Sequence, residues 1–387
     1  MKKIKLLAAI LFTVKLTAQT FTPGLSVYGE AYAGYDFNQP GSQTRPGFIV
    51  NHNRLNEVSL NLIRIDYGHT ANDRSHFKLA LQTGTYVERN LAAEPPALRP
   101  LAEAYAGFKM NKHNVWFDFG VFDSHIGFES TKGNDNDMLS RTLMAENSPY
   151  YESGMRVMYT RPRAKFGLFV LNGWQQMRRT IPVNCGPSLG TQIQWVAGGF
   201  TFNSSTFFGV LSPEPYRYTR FFHNFWMSYS SNNAKHKITF SADVGLQRLS
   251  FPNRQSNSFW GSGALIYRWN ATPRWAFSVR GETFFDPDFV IIPQINPGAT
   301  TIKFWGGAAD AEFKITNNVT ARAEIRSLSS DNPYFLKTID NSTPFPINVT
   351  RKNTVWTGLT LSYAVPNIRL FDPQIKKATQ EIEIKDE

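Results

Sequence analysis

The stretch KITFSADVGLQ, residues 237–247, alternates apolar and polar side chains along its whole length. One face carries Ile238, Phe240, Ala242, Val244 and Leu246, and the other carries Thr239, Ser241, Asp243 and Gln247. A period of two is typical of a β-strand with one apolar and one polar face. Strands of soluble domains are most often about 5–6 residues long, whereas a tilted strand needs about 9–11 residues to cross a bilayer. The length and the alternation together predict a membrane-crossing strand.

The same alternation recurs along the chain in about sixteen runs. They lie near residues 25–37, 54–66, 75–87, 102–110, 114–123, 151–160, 165–175, 189–201, 204–211, 218–229, 236–249, 257–269, 274–285, 301–315, 318–328 and 353–365. No apolar run after residue 18 approaches the ~18 residues of a transmembrane helix. Charged residues make up only 18% of the chain, below the roughly 25% of ordinary soluble proteins. This composition suits strands with one lipid-facing side.

The connections between these runs alternate in length. The long ones include 38–53, 88–101, 124–150, 176–188, 286–300 and 329–352, and the short ones include GHTANDR, NKH, RPRA, NSS, SSNNAKH, NATP and TN. Outer-membrane barrels combine short periplasmic turns with longer external loops. We therefore predict an all-β fold, a single transmembrane antiparallel β-barrel of about 16 strands. Both termini should lie in the periplasm, because the strand number is even and the first connection is a long one.

Two soluble architectures are the alternatives. A β-propeller shows a repeat of about 40–50 residues with a recurring signature, and this chain has no such repeat. A pair of β-sandwiches is built from shorter strands, and its connections do not alternate in length. Both alternatives are therefore disfavoured.

The N-terminal residues MKKIKLLAAILFTVKLTAQ have the parts of a signal peptide. Lys2, Lys3 and Lys5 form a charged start, residues 6–14 are too short an apolar stretch to span a bilayer, and Ala18 offers a small residue for cleavage. We predict a signal peptide at 1–18, a barrel at 19–365 and a charged, mobile periplasmic tail at 366–387. The expected location is the outer membrane of a bacterial cell, with outer-membrane lipid around the barrel.

Several classes of function find little support in the sequence. The net charge of +11 includes four lysines of the leader, and the chain has no long Lys/Arg run, so we expect no nucleic-acid partner. The single Cys185 cannot form an internal disulfide, and no Cys/His group has zinc spacing. His52, His125 and His223 belong to no recognisable nucleophile motif. We therefore expect no enzyme, no metal and no cofactor.

The alternation also predicts which charged side chains face the lumen of the barrel. The candidates are Glu30, Lys78, Asp118, Arg156, Arg280, Glu282, Arg322, Glu324 and Arg326, with Glu57, Glu103, Lys109, Asp243, Asp310 and Glu312 as further ones. A ring of one sign would favour one type of ion. The signs here are mixed, so the sequence predicts weak selectivity.

The connection 124–150, SHIGFESTKGNDNDMLSRTLMAENSPY, is long for a segment with little strand signal. We predict that it folds inward and narrows the bore, with a short helix starting at Met138 and capped by Asn136 or Asp137. Four side chains are then candidates for the channel constriction, namely Asp135, Asp137, Arg141 and Glu146. The alternative is an external loop packed on its neighbours.

Several segments resemble the OmpL-like β-barrel porins. These are SVYGEAYAGYDF at 26–37, LALQTGTYV at 79–87, SHIGFES with NSPYYESG within 124–154, and VLNGWQ at 170–175. The resemblance implies an outer-membrane porin that gives passive diffusion of small hydrophilic solutes through a water-filled barrel. It implies no particular solute, and a homo-oligomer is left open. The alternative function is a structural or docking role through the loops and the C-terminal tail.

Overall fold

Sixteen strands close into one antiparallel barrel in a computed structural model of the chain. The structure describes residues 21, 24–38, 41–71, 73–110, 114–180, 185–212, 217–251, 254–294, 299–340 and 347–368. The predicted signal peptide and most of the predicted tail lie outside these residues. Within them, no helix is long and apolar enough to cross a membrane.

The barrel strands follow the chain order, and each pairs with its sequence neighbour. They are β1 Gly24–Asp36, β2 Val58–Ala71, β3 Ser75–Thr83, β4 Leu101–Lys109, β5 Val115–Asp123, β6 Tyr151–Arg161, β7 Ala164–Leu171, β8 Ser188–Ala197, β9 Phe200–Val210, β10 Arg217–Ser230, β11 His236–Phe251, β12 Arg254–Asn270, β13 Trp275–Asp286, β14 Ile302–Lys314 and β15 Val319–Ser330, followed after an inserted hairpin by β18 Asn353–Ile368. β18 closes the barrel against β1, with Ala33 opposite Leu359 and Val27 opposite Val365. The predicted fold class and strand number are therefore confirmed.

Four local features differ from the sequence-based expectation. The run predicted to extend to residue 87 ends at Thr83, and a short helix α1, Thr85–Asn90, follows it. The turn predicted at NSS lies instead at Gly198 and Gly199, two glycines with positive φ of 56° and 87°, which a tight hairpin favours. The long connection 329–352 contains a hairpin of β16, Phe335–Asp340, and β17, Ile347–Arg351. β18 runs to Ile368, past the predicted barrel end at residue 365.

The helix α1 has a physical cause at Gly84. Its φ is +127°, and a Cβ atom added there would lie 2.5 Å from the carbonyl oxygen of Asn61. Such a conformation is open to glycine and strained for other residues. Gly84 therefore stops the strand and turns the chain into α1 against β2.

The two faces of the strands differ as the alternation predicts. Large apolar side chains such as Val244, Leu265 and Leu361 are exposed on the outer face. On the inner face of β11, Thr239, Ser241 and Asp243 are buried. The outer face thus supplies the apolar surface that a membrane-spanning barrel presents to lipid.

An apolar belt also lines the inner wall, and the sequence did not predict it. It comprises Phe122, Phe169, Phe207, Phe222, Trp260, Phe284, Phe304, Leu328 and Trp356, near the end of the barrel that carries the long connections. Phe48, Leu143 and Ile292, from three of those connections, belong to the same buried cluster. The connections therefore pack on the wall through apolar as well as polar contacts.

Candidate functional site

The inner wall carries charged groups that pair across neighbouring strands. On the side formed by β2–β6, Lys78 pairs with Glu103, and Asp118 accepts a 2.8 Å hydrogen bond from Arg156 Nε. The Arg156 guanidinium also lies over the rings of Tyr105 and Phe122, at 4.6 and 4.5 Å from their centroids. The charges of these side chains are therefore balanced by neighbouring groups of the wall, although Nη2 of Arg156 has no hydrogen-bond partner among the described residues.

On the opposite side, β13–β15 carry a second group of charges. Glu282 lies 3.1 Å from Arg280 Nε and 2.8 Å from Arg326 Nη2, and Arg322 Nε donates to Glu312 at 2.9 Å. Each of these side chains is buried. Four of the predicted lumen-facing residues, Arg280, Glu282, Arg322 and Arg326, are thus joined in two ion-pair clusters.

This second group also holds the segment 124–150, which we call loop 3. Arg322 donates to the backbone carbonyls of Gly133, Asn136 and Met138 at 2.9–3.0 Å. Arg280 donates to the carbonyl of Ser140 at 2.7 Å.

Three wall carboxylates complete this set of contacts by accepting from the loop, and the first, Asp310, accepts from Leu139 N at 3.3 Å. Glu324 accepts from Ser140 N at 3.1 Å and Glu282 from Leu143 N at 2.7 Å. The wall charges therefore satisfy backbone groups of loop 3 that have no helix or strand partner of their own.

Loop 3 contacts other parts of the wall as well. Gly133 N donates to Tyr28 of β1 at 2.7 Å, and Gly127 N donates to Asn224 of β10 at 3.1 Å. Ser205 of β9 donates to the carbonyl of His125 at 2.6 Å. The hydrogen bonds of the loop thus reach strands that are far apart around the barrel.

A short helix lies within loop 3, but not where the sequence predicted it. The helix α2 is Leu143–Glu146, and its cap is Thr142, whose Oγ1 accepts from Ala145 N at 3.1 Å. Asn136, one of the two predicted caps, is bonded instead to the backbone of Ser130 and Lys132. The predicted helix start at Met138 is therefore wrong, while β6 begins at Tyr151 as predicted.

The four predicted constriction residues have different surroundings. Asp135 is half exposed and lies 3.7 Å from Lys132, and Asp137 lies 2.9 Å from Lys237 of β11. Arg141 is fully buried and donates to the carbonyls of Ser130, Thr131 and Leu139. Glu146 is buried and accepts from Val50 N at 2.7 Å and Asn51 N at 3.1 Å. The two aspartates are the more exposed of the four; Arg141 and Glu146 bind the loops together, and Glu146 also borders a cavity.

Glu146 links loop 3 to the first long connection, residues 37–57. Burial raises the pKa of Glu146 to about 7, although the two backbone N–H donors oppose this effect. A second loop carboxyl, Glu129, accepts from Thr142 N at 3.0 Å, and its pKa is also raised by burial. These carboxyls take up protons more readily than exposed ones.

Glu30 is predicted to face the lumen, and the structure places it under the loops. Its carboxylate lies 2.7 Å from His52 Nε2 and accepts from Asn61 at 2.8 Å and from Tyr28 OH at 2.8 Å. All four side chains are buried. Glu30 therefore joins the first connection to the wall.

Three cavities border loop 3: one of about 270 Å³, lined by Phe128, Lys165 and Trp226 among others, and two larger ones. One of the larger cavities, of about 840 Å³ near the long connections, is lined by Glu146 together with residues of the first connection and of the wall. The other, of about 410 Å³ near the short turns, is lined by Asp137, Lys237 and Arg268 among others. Loop 3 thus lies between an open space at each end of the barrel.

The sequence missed some residues at this site. Trp174 packs on Phe207 and Phe222 of the inner belt with ring centroids 5.0 Å apart. Arg45, in a connection without periodicity, lies over Trp356. Neither position carries a local signal, since period-two alternation applies only within strands. Among the described residues, no group of His, Cys, Asp and Glu is arranged to hold a metal ion.

A closed sixteen-strand barrel with an apolar outer face and a charged inner wall defines the porin class of outer-membrane β-barrels. The chain belongs to the family described as "Putative beta-barrel porin-2, OmpL-like", whose model matches residues 24–361. The family and the fold place the protein in the bacterial outer membrane as a porin-type channel protein. No match to a curated protein was found.

Solved structures share the fold at low sequence identity. The anion-selective porin from Comamonas acidovorans has a TM-score of 0.56 at 9% identity, covering 89% of this chain and 99% of that one. The outer membrane channel DcaP of Acinetobacter baumannii has a TM-score of 0.59 at 10% identity, covering 88% and 96%. OmpT of Vibrio cholerae has a TM-score of 0.54 at 11% identity, covering 92% and 100%. At such identities the likeness concerns the fold alone.

Proposed function

We propose that this porin gives passive diffusion of small hydrophilic solutes, and that loop 3 folds into the bore and constricts it. The observation that carries the proposal is the spread of the loop's hydrogen bonds over β1, β9, β10, β13 and β15. A segment bonded to strands this far apart must cross the space that the strands enclose. A solute then has to pass beside the loop on its way between the 840 Å³ cavity near the long connections and the 410 Å³ cavity near the short turns.

The contacts also support different roles for the predicted constriction residues. Asp135 and Asp137 are the charges that a passing solute meets, because they are the more exposed ones. Arg141 and Glu146 fix the loop, because Arg141 donates to backbone carbonyls and Oε2 of Glu146 accepts from backbone N–H groups. Arg280, Glu282, Arg322 and Glu324 act as the anchors of loop 3 on the wall.

The orientation in the membrane is part of this proposal. We assign the short turns and both termini to the periplasm and the long connections to the cell exterior, since outer-membrane barrels share that arrangement. Labelling of intact cells with a membrane-impermeant thiol reagent tests it. With Cys185 changed to serine, a cysteine at Ser42 should be labelled and one at Asn233 should not; the opposite pattern contradicts the assignment.

A homo-oligomer is also proposed. One similar structure is a trimer form of OmpT of Vibrio cholerae, with a TM-score of 0.52 at 10% identity. Exposed apolar side chains on the outer face, such as Phe119 and Met155, offer surface for lipid or for a second copy. Analytical ultracentrifugation in a density-matched detergent distinguishes the two. A mass of one chain contradicts the oligomer and leaves the channel proposal intact.

Single-channel recording tests the channel itself. The mature protein in a planar bilayer should give discrete conductance steps, and liposome swelling should show entry of small sugars and exclusion of large ones. A correctly folded barrel that stays silent in both assays contradicts the proposed function.

A further inference from the structure

The cavity of about 840 Å³ near the long connections has an unusual charge balance. Its described lining residues include Arg45, Arg89 and Arg220, and Glu146 carries the one carboxyl among them. Three positive groups against one negative group leave a net charge of +2, or +3 when Glu146 is protonated. We propose that this cavity binds an organic anion that has an oxyanion head group and an apolar or aromatic body. The proposal rests on the proposed channel function and names the solute class of that channel.

The buried arginines of the described residues differ in how their charge is matched. There are eight of them, namely Arg45, Arg64, Arg141, Arg156, Arg220, Arg280, Arg322 and Arg326. Five pair with carboxylates, and Arg141 donates to three backbone carbonyls. The remaining two, Arg45 and Arg220, have no carboxylate partner in the part of the chain described, and both line this cavity.

Arg45 is only 3% exposed, and most of its donors are unused. Its Nη2 donates to Tyr32 OH at 2.6 Å, while Nε and Nη1 are buried and have no hydrogen-bond partner among the described residues. The guanidinium lies over Trp356 at 4.7 Å and Tyr32 at 5.5 Å from the ring centroids. Ring contacts use the face of a guanidinium and leave the N–H groups at its edge available.

Arg220 of β10 is held in the same manner. Its guanidinium lies 4.8 Å from the ring centroid of Trp174 and 5.0 Å from that of Trp260. It donates to Gln247 Oε1 at 2.7 Å, which is a neutral acceptor. Asp286 acts on Arg220 electrostatically, but its oxygens accept from the N–H groups of residues 290–292 at 2.8–2.9 Å.

These observations indicate an anion as the missing partner. A buried charge without a counter-charge is costly, so a site that holds two of them gains when an anion enters. The planar guanidinium matches the two oxygens of a carboxylate or phosphate through a pair of parallel hydrogen bonds. Phe48, Trp174 and Tyr334 also line the cavity and offer apolar surface to the rest of the solute.

Tryptophan fluorescence provides a binding test that does not depend on conduction. Trp174 and Trp260 lie beside Arg220, so benzoate added to the folded protein in detergent should change their emission in a saturable manner. Benzamide, which has the same ring without the charge, should change it little. Inorganic phosphate should bind more weakly than benzoate because it lacks the ring.

Variants identify the arginine responsible. Arg220→Gln should weaken benzoate binding about tenfold, the range of one charge-assisted pair. Arg220→Lys retains the positive charge but lacks the planar set of guanidinium N–H donors. It should weaken benzoate binding less than Arg220→Gln does, and it should preserve the fold. Arg54→Gln is the matched control, because Arg54 is a partly exposed arginine of the same connection as Arg45 and is paired with Glu57.

The outcomes are separable from those of the channel test. Equal effects of benzoate and benzamide, or unchanged affinity in both Arg220 variants, overturn the binding proposal even when the protein conducts. Equal affinity for phosphate and benzoate would contradict the proposal that the apolar body of the solute contributes to binding. Silence in the bilayer with intact benzoate binding contradicts the channel instead.

Discussion

At the scale of single residues, two glycines beside loop 3 hold the backbone in a conformation that other residues rarely adopt. Gly120 of β5 and Gly154 of β6 face each other in register, with φ of 133° and 148°. A Cβ added at Gly154 would lie 2.0 Å from the carbonyl oxygen of Val170, and one added at Gly120 would lie 2.1 Å from that of Ala104. These glycines let neighbouring strands approach closely where loop 3 leaves the barrel.

Gly154→Ala should therefore destabilise the barrel, by about 1–3 kcal/mol for the backbone strain alone. Unfolding by denaturant in lipid vesicles measures the change. The control is Gly281→Ala, because Gly281 has no atom within 4 Å of an added Cβ and no positive φ. Equal stability of the two variants would show that the β5–β6 conformation is not strained.

Glu146 predicts a pH effect on the contact between loop 3 and the first long connection. Its pKa of about 7 in the folded protein exceeds the value of roughly 4.3 in an unfolded chain, so the folded state binds more protons between these limits. The stability of this contact should fall as the pH rises from about 4.3 to about 7 and should be lowest above that range.

Hydrogen exchange measures this effect at residues 48–53. The protection of these amides, corrected for the intrinsic exchange rate, should be lower at pH 8 than at pH 5 in the native protein. Glu146→Gln should show no such difference, because glutamine does not ionise and still accepts from Val50 and Asn51. A variant with the native pH dependence would assign the effect to another group.

At the scale of elements, loop 3 is held by arginines that project from the wall. Arg322 makes three hydrogen bonds to its carbonyls, each worth roughly 1.5–3 kcal/mol for a charged donor. Arg322→Ala should loosen the loop and give a larger and noisier single-channel current. Glu312, its carboxylate partner, remains paired with Arg268 in that variant.

Arg156→Ala is the matched control for this element. Arg156 is also a buried lumen arginine, but its contacts are with Asp118, Tyr105 and Phe122 of the wall. The current noise of this variant should match that of the native channel. Equal noise in the two variants would mean that Arg322 does not fix loop 3.

The elements also show how far the sequence can predict this protein. Alternation predicted the strands and the inward direction of Arg280, Arg322 and Glu324, because side-chain direction in a strand follows directly from the period of two. It did not predict that these residues bind loop 3. Ser140 and Glu324 are separated by 184 positions, and no local pattern encodes such a contact.

The position of the helix cap within loop 3 was also ambiguous from the sequence alone. Asn136, Asp137 and Thr142 are all suitable helix caps by residue type. Thr142 caps α2 because its hydroxyl both donates to Glu129 and accepts from Ala145 N. The side chain of Asn136 instead accepts from Ser130 N and stabilises a local turn. Arg141 was placed in the channel by the same reasoning, and tertiary contacts bury it.

At the scale of the whole molecule, the barrel is a frame of paired strands, and loop 3 is hydrogen-bonded to its inner wall. The frame follows from backbone pairing, since each barrel strand is bonded on both sides and β18 closes onto β1. The interior is filled by loop packing on the apolar belt and by the charge network beneath it. Conductance should therefore depend on loop 3 more than on any single wall residue.

One measurement tests this central claim most directly. Residues 132–141 are replaced by a short Gly-Ser linker, and the single-channel conductance is compared with that of the native protein, together with the size limit for polyethylene glycols that enter the pore. We expect a several-fold higher conductance and a larger size limit, because the tethered part of loop 3 is gone while all sixteen strands remain. An unchanged conductance and size limit in a folded variant would contradict it.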